Sequence, residues 1–307
     1  MTFMLDRWAK GSYCLPMNKL PAERRTQILS MMVEGMSIRA IARLTGASKN
    51  TIIKLMVEAG DACRAYQDQH VRGLCAKRIQ CDEIWSFTYA KRKNVATAIA
   101  APADTGDTWT WMALDADSKL IVSWLVGGRD AGYATEFMQD VADRLATRVQ
   151  LTTDGHKACL TAVEDAFGSD VDYAQLVKLY GDAPDSANGR YSPADCTGVR
   201  KTAIVGRPEE RHVSTSYVER QNLSMRMHVR RFTRLTNAFS KKVENHEYAL
   251  AIYFMHYNFC RIHQSLRVSP AIAAGVSKML WSMADVVAMI DAWAEPPKPR
   301  GPYKMSS

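Results

Sequence analysis

The spacing of apolar residues changes twice along this chain of 307 residues. From Pro21 it is helical: Ile28, Leu29, Met32 and Val33 share one face of PAERRTQILSMMVEGM, with the proline in the first turn. Ser37 reads as the N-cap of a short helix with Ile38, Ile41, Ala42 and Leu44 on one face and Gly46 at its end. Ser48 caps a further helix holding Ile52, Ile53 and Leu55. Three helices, the last two joined across a glycine turn, predict a helix-turn-helix unit over 21–72, behind an N-terminal segment 1–20. Beyond Lys77 the period falls to two. RIQCDEIWSFTYA, the two arms around DADSK, VQLTTDGHKA and DYAQLVKLY predict five strands, and ATEFMQDVADRLA and LTAVEDAFG predict helices. The order β-β-β-α-β-α-β makes this an α/β fold with a mixed sheet rather than a doubly wound parallel one. Residues 181–213, rich in Gly, Pro and Asp, are expected to form a long connection. Helical spacing returns from about Ser216 to Tyr257, broken near Asn237, and a last helix is expected within 276–294. The tail 295–307 reads as disordered.

Composition narrows the class. A hydrophobic content of 47% and a charged content of 23% suit a globular chain. No apolar run approaches the roughly 20 residues of a membrane span, and the first residues lack a signal-peptide core. Seven cysteines, an odd number with no CxxC pair, argue against a disulfide framework or zinc ribbon and fit a reducing cytoplasm. The net charge of +8 leans toward an anionic partner, and its distribution says more. Residues 1–75 carry 11 basic and 6 acidic side chains, residues 76–190 carry 12 and 17, and residues 191–243 carry 11 and 4. An acidic centre between two basic flanks suits a protein that grips a polyanion and holds cations in the middle.

The candidate chemistry follows that division. Lys49, Asn50, Thr51 and Lys54, with Ser48 at the cap and Arg39 on the preceding helix, are residue types that touch phosphates and base edges. The bland alternative is a three-helix packing unit with a solvated face. In the centre, Asp82 lies among Ile79, Cys81, Ile84, Trp85 and Phe87, where a strand carboxylate is costly unless paired or metal-bound. Alternation should turn its neighbour Glu83 to the opposite face. Asp154 ends the strand VQLTT, at the kind of strand C-terminus that builds sites in α/β folds. Glu219 heads a segment with seven Lys or Arg and no acid from Arg220 to Lys242. On a helix, Glu219, Asn222, Arg226 and Arg230 would form a polar stripe beside an apolar one of Val218, Met225, Val229 and Phe232. Two strand acids and one helix acid could converge to hold divalent ions through oxygen. Trp109, Trp111 and Trp124 alternate in hairpin strands as core residues, and His256, Cys260 and His263 lack a fourth ligand for zinc.

CDEIWSF, TTDGHKA, SYVERQNLSMRMHVRRFTR and YNFCRIHQSLRVSPAIAAG, in that order, resemble DDE transposases of bacterial insertion sequences, nearest the insertion-sequence-one type of the integrase-core group. The resemblance covers about 76–275. It implies an RNase H-like five-stranded mixed sheet flanked by helices, with Asp82, Asp154 and Glu219 as a catalytic, metal-holding triad. It implies two Mg²⁺ or Mn²⁺ ions, and an assembly, dimeric or larger, that brings two transposon ends together with target DNA. Arg226, seven residues after Glu219, matches a basic position that accompanies the triad, although Lys is common there. The N-terminal cysteine zinc motif frequent in the nearest family is absent. His156 and Lys157 beside Asp154, and Arg220, Asn222, Arg230, Arg231 and Arg234, become candidates for DNA contact. The expected function is DNA strand cleavage and transfer. The alternatives are an RNase H-like nuclease without transfer and a non-enzymatic DNA-binding regulator.

Overall fold

A computed structural model describes residues 19–102, 105–181, 196–233 and 238–294. Arg234 and the tail 295–307 lie outside the described residues. Three helices open the chain: α1 (Ala22–Val33), α2 (Ile38–Thr45) and α3 (Lys49–His70). The cap chemistry read from the sequence is present. Ser37 Oγ accepts from the Ala40 amide and Ser48 Oγ from the Thr51 amide, while Gly46, at φ 69°, closes α2 in a left-handed turn that a side chain would strain.

The sheet has six strands in the order β3-β2-β1-β4-β5-β6, where five were expected. They are β1 (Arg78–Thr88), β2 (Gly106–Asp115), β3 (Ile121–Gly127), β4 (Val149–Thr153), β5 (Val171–Tyr180) and β6 (Cys196–Val205). The first three are antiparallel, β1, β4 and β5 are parallel, and β6 returns antiparallel to β5. The extra strand falls within 181–213, which is therefore not connection throughout. β6 is exposed along almost its whole length, so it lacks the alternating burial that makes a strand readable.

Helices cover both faces. α4 (Ala131–Arg144) and α5 (Ala158–Phe167) lie on one, burying Phe137, Met138, Val141 and Val163 in the same cluster as Trp111, Cys81 and Cys159. On the other, α6 (Ser216–His228) and α7 (Val243–Met255) bury Val218, Met225, Leu250 and Phe254 against Ile84, Met112 and Ile121. The apolar stripe expected on α6 is fully buried there, including Val229 and Phe232 just past its end. The N-terminal helices extend the first cluster, with α3 along α7 and α1 against the final helix α9 (Met283–Trp293), which follows the short α8 (Pro270–Ala273). Among the described residues no helix is long and apolar enough to cross a membrane.

Candidate active site

β1 pairs with β4 only from Arg78 to Gln80, and β4 stops at Thr153. Beyond that point β1 runs on with no strand on its β4 side. The gap is a crevice at the C-terminal ends of parallel strands, the usual place for a site in an open sheet. Asp82 stands two residues past the last pair, and Asp154 is the residue after β4. α6 crosses above them, held by Gln80: its buried side-chain oxygen accepts from the Tyr217 and Val218 amides at 2.9 and 3.2 Å. Those amides are unpaired donors of a helix N-terminus. One β1 side chain thus fixes the start of the helix that presents Glu219.

A cavity of about 820 Å³ occupies this crevice, lined by Asp82, Glu83, Asp154, Glu219, Asn222 and Arg226, with Arg129, His156 and Lys178. Three acids close up in it: oxygens of Asp82, Glu83 and Asp154 lie within 4.8 Å of one another. Glu83 therefore does not turn away as strict alternation requires, because with no β4 partner beside it the side chain can reach round the open edge. Burial and the neighbouring charges of Glu83 and Asp154 push the Asp82 carboxyl up to about 7. Asp82 Oδ2 accepts from Asn222 Nδ2 at 2.8 Å, and Oδ1 from the Glu83 amide at 2.9 Å. Asn222 is therefore a buried partner of Asp82, and its own Oδ1 is left unpaired.

Two cations, Arg129 and Lys178, face the cluster and offset part of its charge. Arg129, between β3 and α4, donates to Glu83, lies 3.6 Å from Asp154 and rests over the ring of Trp109 at 4.8 Å. Trp109 is thus a half-buried platform, whereas Trp111 is core. Lys178 of β5 pairs with Glu219, whose other oxygen accepts from Thr215 Oγ1 at 2.6 Å. Glu219 lines the same cavity but does not close within ligand distance of both strand acids.

A hard divalent ion fits this donor set, since three half-buried carboxylates have their oxygens so close together and crowding raises the proton affinity of Asp82, which a bound cation would relieve. Sequence reasoning missed three contributors. Lys178 leaves a signal, a charge inside the apolar run of DYAQLVKLY, and Arg129 a weaker one, a base after paired turn glycines. Gln80 leaves none.

The remaining candidates divide. His156 packs on Trp111 at 5.6 Å, accepts the Ala158 amide on Nδ1 and keeps a buried Nε2 without a partner. Lys157 and Arg220 are exposed, as are Arg39, Ser48, Lys49, Asn50 and Lys54, and Thr51 is half-buried. Ser48 and Thr51 bond each other's hydroxyls at 2.9 Å. Arg226 is an exposed wall of the acid cavity. The polar stripe expected to reach Arg230 ends at Arg226, because α6 stops at His228 and the chain turns at Val229. Arg231, expected to track flanking DNA from an exposed face, is half-buried and donates to Ser240 Oγ at 2.6 Å.

Fold and site together define an α/β protein with an acidic crevice at its central strand ends and bases on the helix above. Residues 206–260, the segment with Glu219 and Arg226, match the family model of IS1 transposases. The resemblance to insertion-sequence transposases stands on that segment, and the match supports a transposase. Asp82 and Asp154 lie outside it. Comparison with curated proteins finds no match. Among solved structures, a chain of the simian T-cell lymphotropic virus intasome in complex with the PP2A regulatory subunit B56 gamma is 14% identical, covering 92% of this chain and 80% of that one, with a TM-score of 0.37. The piggyBac transposase synaptic complex with hairpin DNA is 10% identical, covering 91% and 73%, with a TM-score of 0.36. At these values the fold assignment rests on the strand order itself.

Proposed function

We propose that the protein is a transposase that cuts and joins DNA at the ends of an insertion sequence. The observation that carries this reading is that Asp82, Asp154 and Glu219, far apart in the chain, line one crevice. Asp82 and Asp154 would hold a divalent ion, Mg²⁺ or Mn²⁺, with Glu219 joining once it leaves Lys178. Such an ion, when bound, supplies Lewis-acid stabilisation of charge at a phosphoryl group. The chain's own residues do the rest. Asn222 fixes Asp82 Oδ2, so that the carboxylate's other oxygen faces a constant environment. Arg226 on the rim, and Arg129 and Lys178 when displaced from the acids, place positive charge where the scissile phosphate enters. The exposed N-terminal end of α3, with Lys49, Asn50 and Lys54, reads the transposon end, and two ends require a dimer or larger assembly.

Supplying pre-cleaved ends with Mg²⁺ and a target plasmid tests the reading. Joined products are expected; no joining here, with uncleaved ends still cut in a parallel reaction, would leave a nuclease instead. Asp82→Asn is expected to lower cleavage at least about a hundredfold, since even the loss of a partner of a metal ligand costs up to that much. End binding and the melting temperature should hold, because the change removes one of three crowded charges. Full activity in this variant would remove Asp82 from the chemistry.

A further inference from the structure

The acids gather in one crevice, and several bases gather in another. A cavity of about 680 Å³ opens between α1, the N-terminus of α2, α3 and the segment joining α6 to α7. Arg39, Arg230, Arg231 and Lys241 line it, no acidic side chain does, and its floor is apolar, with Met56, Val229 and Phe239. Among the described residues none of these four bases has an acidic partner. Arg231 is the telling one. Its Nε donates to Ser240 and one terminal nitrogen lies 3.1 Å from the Met56 sulfur, a weak acceptor. Burial lowers its pKa to about 10. A desolvated guanidinium without a carboxylate is costly until an anion arrives. The start of α2, at Ser37 and Ile38, opens on the same cavity and adds the partial positive charge of a helix N-terminus.

We propose that this cavity binds a backbone phosphate of the DNA whose groove is engaged by α3, an inference that rests on the DNA-processing function above. A forked guanidinium beside a mobile ammonium matches a phosphate, and the apolar floor strengthens the attraction by excluding water. The site lies between the DNA-reading helices and the end of α6, and Arg230 stands two residues after the helix that carries Glu219. A duplex gripped here is therefore registered against the acid crevice by contacts that read no sequence.

The test is the salt dependence of binding to a short fluorescent duplex. Arg231→Met keeps the apolar stem of the side chain while removing its charge, and Lys241→Ala alters an exposed residue that packing does not need. Each is expected to weaken binding by about tenfold or less and to lower the slope of log affinity against log salt by roughly 1, without a fall in melting temperature. Wild-type affinity and slope in both variants would overturn the site while leaving the function standing. Failure of the unmodified protein to bind duplex DNA at any salt would overturn the function, and the site with it. If Arg231→Met fails to fold, Lys241→Ala alone decides.

Discussion

At the scale of single residues, the crevice is a balance between carboxylates and the two cations that face them. Lys178 holds Glu219, and Arg129 spans Glu83 and Asp154, so each base occupies a place that an ion or a phosphate would take. This predicts a gain on removing a base. Lys178→Gln leaves Glu219 without its ion pair and should tighten Mn²⁺ binding about threefold or more by calorimetry, since like-charge competition at close range is worth a kcal/mol or so. Weaker or unchanged binding would show that Lys178 does not compete with the ion. Asn222 acts in the opposite sense. Its bond to Asp82 was not foreseen from helical spacing, which placed it correctly beside Glu219 but gave no hint of its partner.

Among the elements, the relation of α6 to β1 decides whether the acids meet. Gln80 carries that relation through two bonds to the first amides of α6. Gln80→Leu would leave both donors without this partner, the Val218 amide buried and the Tyr217 amide partly so, at a cost of about 1–3 kcal/mol. On the proposed function it should reduce cleavage more than DNA binding, because cleavage would depend on where Glu219 stands. Equal losses of both would mean that Gln80 supports folding only. Contact between α3 and α7 places a second demand. A Cβ on Gly60 would lie 2.5 Å from the Cβ of Tyr248, so the two helices touch almost backbone to backbone. Gly60→Val is expected to destabilise the fold by about 1–3 kcal/mol through overpacking, seen as a lower melting temperature. An unchanged melt would refute the close approach.

Across the whole molecule, the N-terminal helices and the last helix are tied by charge. Asp291 of α9 accepts from both terminal nitrogens of Arg25 at 2.7 Å and from Lys19 at 2.7 Å. The hydrogen bond from Arg25, then that from Lys19, holds its carboxyl down at about 2, against an ordinary value of 3.8. The unfolded chain therefore takes up its proton first as pH falls. The tie contributes in full above about pH 4 and is lost as pH falls through about 2. Because Asp291 is partly exposed, its worth is discounted to about 1 kcal/mol. Asp291→Asn should lower stability by that amount near neutral pH in denaturant titrations, with the gap closing toward pH 2. A gap that persists in acid would assign the loss to packing.

What the sequence by itself determined was local or periodic. Helix caps at Ser37 and Ser48, the short apolar runs of β1 to β5 bounded by turn residues, and the buried stripe of Val218 and Met225 are each set within a few residues, so they could be read directly. The unusual placement of Asp82 in an apolar strand and of Asp154 at a strand end was legible for the same reason. β6 was not, because a strand exposed on both faces has no periodic signature. Only the tertiary structure decided that Glu83 joins Asp82, that Lys178 and Arg129 close on the acids, and that Gln80 anchors α6. Each depends on contacts between elements far apart in the chain, and the first on the free side of β1, facts of long-range pairing that no stretch of neighbouring residues contains.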